Sequence, residues 1–163
     1  MTIFKPPDRT PYSKHKTGIW VFLAGSIEMG EAEKWQEKAG ALFSAAGVTV
    51  LDPRRDDWDS TWIQSIENEN FREQVEWELD ALEGSDAIFV YFDPNTKSPI
   101  TLLELGICSQ RKSKKTFVCC PVGFWRRGNV EIICNRYGIF LSDSFEETAG
   151  ALINYLVSMD LLT

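Results

Sequence analysis

Residues 18–25, GIWVFLAG, are apolar without a break and end in glycine. A strand with one wet face alternates apolar and polar side chains, so an unbroken apolar strand is expected to be covered on both faces. The segments that follow alternate strand-like with helix-like patterns. GEAEKWQEKAGALFSAAG (30–47) has helical spacing and stops at Gly47. VTVLDP (48–53) is a short β-branched strand ended by Pro53, and RRDDWDSTW (54–62) is a polar, aromatic loop. NENFREQVEWELDALEGSD (68–86) reads as a helix, AIFVYF (87–92) as a strand and DPNTKS (93–98) as a loop. A helix over 99–111, a strand over 116–121, a short helix from about Asn129, a strand over 138–141 and a helix over 145–158 complete the chain.

Five strands alternating with helices predict an α/β fold: a Rossmann-like parallel five-stranded sheet with helices on both faces. Ligands of such sheets bind beyond the carboxyl ends of the strands, where the strand order reverses. The loops 25–30, 52–62 and 93–99 are therefore the expected walls of a site. A chain of 163 residues suits one domain. Residues 1–17, with Pro6, Pro7 and Pro11, read as an extended N-terminal arm ahead of a single domain over 18–163.

The formal net charge is −7, with no run of five like charges, which argues against a nucleic-acid polymer or an anionic membrane as partner. No apolar stretch approaches the roughly 18–20 residues that span a bilayer. Residues 1–17 lack the apolar core of a secretory signal. Cys108, Cys119, Cys120 and Cys134 form no CxxC pair and are expected to be reduced, partly buried thiols of a cytoplasmic protein. Cys119 and Cys120, adjacent in a strand, are expected to point to opposite faces. The one histidine, His15, lies in the arm, so neither a histidine triad nor a histidine-rich metal site is expected, and no cofactor is implied.

Two acids fall on apolar helix faces. At about 100° per residue from Phe71, Val75 and Leu82 lie near 40° and 20°, with Glu78 near −20° in the same stripe. From Ile100, Leu103 and Ile107 lie near −60° and −20°, and Glu104 near 40°. Buried carboxylates are costly, so two of them need a reason. One is structural: core-edge glutamates satisfied by backbone amides or arginines. The other is chemical. Glu104, early in its helix, is favoured as an anion by the dipole, which suits a nucleophile. Glu78, toward the end of its helix, is expected to keep its proton, which suits a general acid. Paired carboxyls with separated pKa values are the pattern of glycosidic bond cleavage.

Elsewhere, LAGSIEMGEAEKW (23–35) offers a Gly-Ser turn able to present N–H groups to a sugar or phosphate, or simply a tight turn. RRDDWD (54–59) offers Asp57, Trp58 or an arginine to a base, or a salt-bridged surface loop. In WRRGNVEI (125–132), Asn129 reads as a helix cap.

FLAGSI, DPRRDDW, VEWELDALEGSDAIFVYF and SPITLLELG, in this order over residues 20–110, resemble the nucleoside 2-deoxyribosyltransferase family. The resemblance implies a flavodoxin-like domain in a homo-oligomer, a dimer or higher, whose neighbours complete each site. By resemblance Glu104 is the nucleophile that attacks C1′ of a deoxynucleoside, and Glu78 stands where the family's second acid is usually an aspartate. Gly25 and Ser26 would line the sugar, Arg55 or Asp57 would touch the base, and Asn129 would reach a neighbouring site. Substrates would be deoxynucleosides and free nucleobases, or deoxynucleotides. Two residues depart from the family pattern: Phe22 replaces a frequent tyrosine that orients the nucleophile. Ser98 replaces an aspartate and is similar to the phosphate-holding serine of related nucleoside 5′-monophosphate N-glycosidases. Three functions follow as alternatives: base exchange, nucleotide hydrolysis by the same acids, or nucleotide binding without turnover.

Overall fold

The computed structural model describes residues 2–9, 16–27, 34–111 and 115–159. His15 and the start of the helix expected from residue 30 lie outside them. The sheet strands are β1 (Thr2–Phe4), β2 (Trp20–Gly25), β3 (Thr49–Leu51), β4 (Ala87–Tyr91), β5 (Lys115–Cys119) and β6 (Phe140–Ser142). The helices are α1 (Trp35–Ala45), α2 (Glu69–Gly84), α3 (Pro99–Ser109), α4 (Arg127–Tyr137) and α5 (Phe145–Ser158). Every strand pair is parallel, in the order β1-β3-β2-β4-β5-β6.

The described sheet has six strands, not the expected five. The sixth comes from the segment read as an arm: Thr2, Ile3 and Phe4 pair with Thr49, Val50 and Leu51. Three residues ahead of Lys5 and a Pro-Pro pair make a weak strand pattern on their own. They gain their hydrogen bonds only because β3 presents an open edge.

Strand β2 explains why GIWVFLAG is apolar throughout. Phe22 and Ala24 face one core with Trp77, Leu82, Leu105 and Val130. Val21 and Leu23 face the other with Trp35, Phe43, Leu152 and Leu156. Helices α2, α3 and α4 thus cover one face of the sheet, and α1 and α5 the other. Cys119 and Cys120 divide between the two cores as expected, and all four cysteines are buried free thiols. No helix among the described residues is long and apolar enough to cross a membrane.

Local signals set the helix starts. Asn68 caps α2 by accepting from the Phe71 N–H at 3.0 Å, and Ser144 caps α5 by accepting from Glu147 N–H at 3.2 Å. Helix α3 is rotated from its expected setting. Thr101, Glu104, Leu105 and Cys108 are buried, whereas Ile100 and Leu103 are 59% and 64% exposed. The sheet takes the side centred on Leu105 and Cys108, and Glu104 goes in with it.

Candidate active site

The strand order reverses between β2 and β4, so the crevice expected of this topology opens at Gly25–Ser26 and at Phe92–Asp93. A knot of buried hydroxyls closes its floor. Ser26 Oγ accepts from the Asp93 N–H and from the Thr96 hydroxyl, both at 2.9 Å. It also shares a hydrogen bond with the Ser98 hydroxyl, which lies 2.7 Å from Thr96 Oγ1. Ser98 has φ 46° and ψ 53°, the left-handed region, which costs a residue bearing a Cβ. That turn, with Pro99 at the first helical position, sets the angle at which α3 leaves the loop. Ser26 and Ser98 are therefore brought together, with their hydroxyls committed to each other and to Thr96. Asp93 and Thr96 escaped the sequence reading. Their signal was the DPNT turn, in which Asp93 Oδ1 accepts from Asn95 N–H at 2.8 Å.

The two acids project from helices on the same face of the sheet, α2 and α3. Glu104 is 8% exposed, and its carboxyl accepts no hydrogen bond among the described residues. Burial pushes it up to about 8, and the nearby charge of Glu78 adds to the rise. Burial also pushes Glu78 up to about 7, against a hydrogen bond from Gln74 that favours the anion. The rise runs against the expectation that the helix dipole favours the Glu104 anion. Glu104 lies in the second turn of α3, beyond the reach of the free N–H groups of its first turn. Desolvation and the like charge then outweigh the dipole. At neutral pH the pair keeps a proton that two isolated carboxyls would have lost.

Gln74, one helical turn before Glu78, is the residue sequence reasoning missed here. Its Nε2 donates to Glu78 Oε1 at 2.6 Å and to the Pro53 carbonyl at 2.9 Å. Asp52, at the end of β3, was also missed. It is 5% exposed, accepts from Arg54 N–H at 3.0 Å, and is raised above its ordinary value by burial.

The other expected residues sit differently. Arg55 has a nearly buried side chain that bonds Asp57 at 2.7 Å and Glu73 at 3.0 Å, and its guanidinium lies 4.9 Å from the Trp62 ring centre. Each of its three nitrogens donates to the loop or to α2, and Asp57, exposed, is held below its ordinary value by that pairing. Gly25 answers a packing demand: a Cβ there would stand 2.5 Å from the Trp35 ring and 2.5 Å from the Tyr91 carbonyl. Asn129 does not cap α4, because the helix already begins at Arg127 and Asn129 is inside its first turn. With Leu102, Leu105, Gly106, Arg126 and Val130 it lines a shallow cavity of about 330 Å³ between α3 and α4. Leu102 and Gly106 project about 160° away from Glu104 around α3, so that cavity lies on the opposite flank of the helix. Phe22 is fully buried under α2 and α3 and has no hydroxyl to offer. Among the described residues no group of three or more His, Cys, Asp or Glu side chains is arranged to hold a metal ion.

Residues 18–124 match a family model described as nucleoside 2-deoxyribosyltransferase like. The match takes in the crevice, the hydroxyl knot and both acids, and ends before α4. No curated protein matches the chain.

Proposed function

The chain belongs to the nucleoside 2-deoxyribosyltransferase-like family, and on that premise we propose that it exchanges bases on 2′-deoxynucleosides through a covalent deoxyribosyl-glutamate. The observation that carries the reading is the carboxyl pair on one face of the sheet: Glu104 buried on α3 and Glu78 partly buried on α2, each raised above its ordinary value by burial, with the Glu78 charge adding to the rise at Glu104. In the active form the proton is on Glu78 and the negative charge on Glu104. The Glu104 carboxylate attacks C1′ while the C1′–N bond breaks, and Glu78 gives its proton to the departing base. The sugar is left as an ester of Glu104 and Glu78 as an anion. An incoming base then attacks C1′ through nitrogen, its proton passes to Glu78, and the Glu104 carboxylate is released. Each group ends where it began, and the cycle needs no cofactor.

Incubating the protein with one deoxynucleoside and a different free base tests this directly. A new deoxynucleoside is the expected product. Release of free base and free 2-deoxyribose alone would overturn transfer.

Ser98 favours a second reading, hydrolysis of 2′-deoxynucleoside 5′-monophosphates by the same two acids. Ser98 stands in the crevice floor at the start of α3, six positions before Glu104, and to hold a phosphate its hydroxyl would exchange its bonds to Ser26 and Thr96 for bonds to the anion. The same assay with monophosphates separates the two readings. Assembly into a homo-oligomer is part of the proposal. Ile100 and Leu103 on α3, Trp125 ahead of α4 and Ile132 on α4 are half or more exposed. A second copy would cover them.

A further inference from the structure

Gln74 is 5% exposed on α2, and half of its hydrogen-bonding capacity is unmet. Its Nε2 donates to the Pro53 carbonyl and to Glu78, while its Oε1 is buried with no partner among the described residues. Turning the amide over would set its oxygen against the Pro53 carbonyl, which is an acceptor whatever the protonation of Glu78. A buried amide held in this half-satisfied state calls for an explanation beyond its own packing. The loop that supplies the Pro53 carbonyl is fastened to α2 a second time, one residue earlier, by Arg55 to Glu73 at 3.0 Å. The loop after β3 is therefore tied to α2 by two side-chain bonds, and Gln74 carries that tie on to Glu78.

We infer that Gln74 is a positioning residue for the proposed reaction, clamping Glu78 against the Pro53 carbonyl and stabilising the carboxylate that remains when Glu78 gives up its proton. This rests on the reading of Glu78 as the proton donor. Among the described residues, Glu104 on α3 is the charged group facing Glu78. The strands beneath, β2 and β4, present Phe22, Ala24, Ile88 and Val90 to that face, and the loop after β3 presents a neutral carbonyl. A donor to the anion makes Glu78 the stronger acid. Without it, the last proton of the pair leaves at higher pH and base departure slows.

Two variants test the link. Gln74→Met removes the donor at similar size, and Gln74→Glu keeps the shape but sets an acceptor against Glu78; melting curves establish which of them fold. In protein labelled with ¹³C at the glutamate carboxyls, the Glu78 titration midpoint is expected to rise by about one pH unit in either variant. An unmoved midpoint overturns the inference. This readout needs no turnover, so a wild-type protein that turns over no deoxynucleoside would sink the proposed function while the titration still decides the role of Gln74.

Kinetics supply the second arm. With deoxynucleosides, kcat is expected to fall at least about tenfold with KM little changed, and the alkaline limb of the pH profile is expected to move up. With 4-nitrophenyl 2-deoxyriboside, whose phenolate leaves without a proton, the variants are expected to match wild type. Equal losses on both substrates with an unmoved limb would show a merely structural residue and overturn the inference.

Discussion

Glu104→Gln separates the chemistry of the site from its stability, and the structure gives the size of the second effect. Burial and the neighbouring Glu78 raise the Glu104 carboxyl from 4.5 to about 8. Below pH about 4.5 the folded and unfolded chains both carry the proton and the group costs nothing. As pH rises from there to about 8, the unfolded chain ionises while the folded one resists, and stability is lost. Above about 8 the loss is complete, on the order of 5 kcal/mol. Glutamine carries no such charge, so the variant is expected to melt near wild type at pH 5 and well above it at pH 8.5. Turnover of deoxynucleosides is expected to fall by several orders of magnitude, and the 2-deoxyribosyl adduct on the protein to disappear from intact mass spectra. Thermal melts at the two pH values, single-turnover assays and mass spectra on the same preparations measure all three. A folded Glu104→Gln protein with near-normal turnover would refute the nucleophile assignment. A variant less stable than wild type at pH 8.5 would refute the argument from burial, because a capping or hydrogen-bonded glutamate predicts that result.

Glu78→Gln is expected to slow base departure, least for bases that leave easily, and to lower the Glu104 pKa by removing its charged neighbour; a pH profile and ¹³C titration check both. Gly25→Ala places a methyl 2.5 Å from the Trp35 ring and the Tyr91 carbonyl and is expected to destabilise the fold by about 1–3 kcal/mol, read from denaturant midpoints. Ile132→Asp, at a residue of α4 that is 66% exposed, is expected to shift the proposed oligomer toward monomer in sedimentation velocity. A wild-type protein that is active and strictly monomeric would end the shared-site reading.

Much of the fold was legible because its signals are local. An apolar run long enough for a strand, a stop at Gly47 and caps at Asn68 and Ser144 act through residues a few positions apart. Helical periodicity put Glu78 and Glu104 on apolar stripes, but which side of α3 turns inward was not legible: Ile100 and Leu103 face outward, and Glu104 is buried with Leu105 and Cys108. Asn129 was misread as a cap because no side chain fixes the terminus, and the observed cap position, Arg126, lies three residues earlier.

Sequence by itself determined the alternation of strands and helices, the crevice that such an order creates, and the two acids near it. Tertiary structure alone decided their protonation, which depends on how completely α2, α3 and the sheet exclude water and on how near one carboxyl comes to the other. It decided that Arg55 would spend its donors on Asp57 and Glu73, that Gly25 would be required by Trp35, and that Thr2–Phe4 would become a strand. Each of these is a through-space interaction between residues on different elements. Desolvation, like-charge repulsion and edge pairing have no value until those elements are packed together, so no local pattern could carry them.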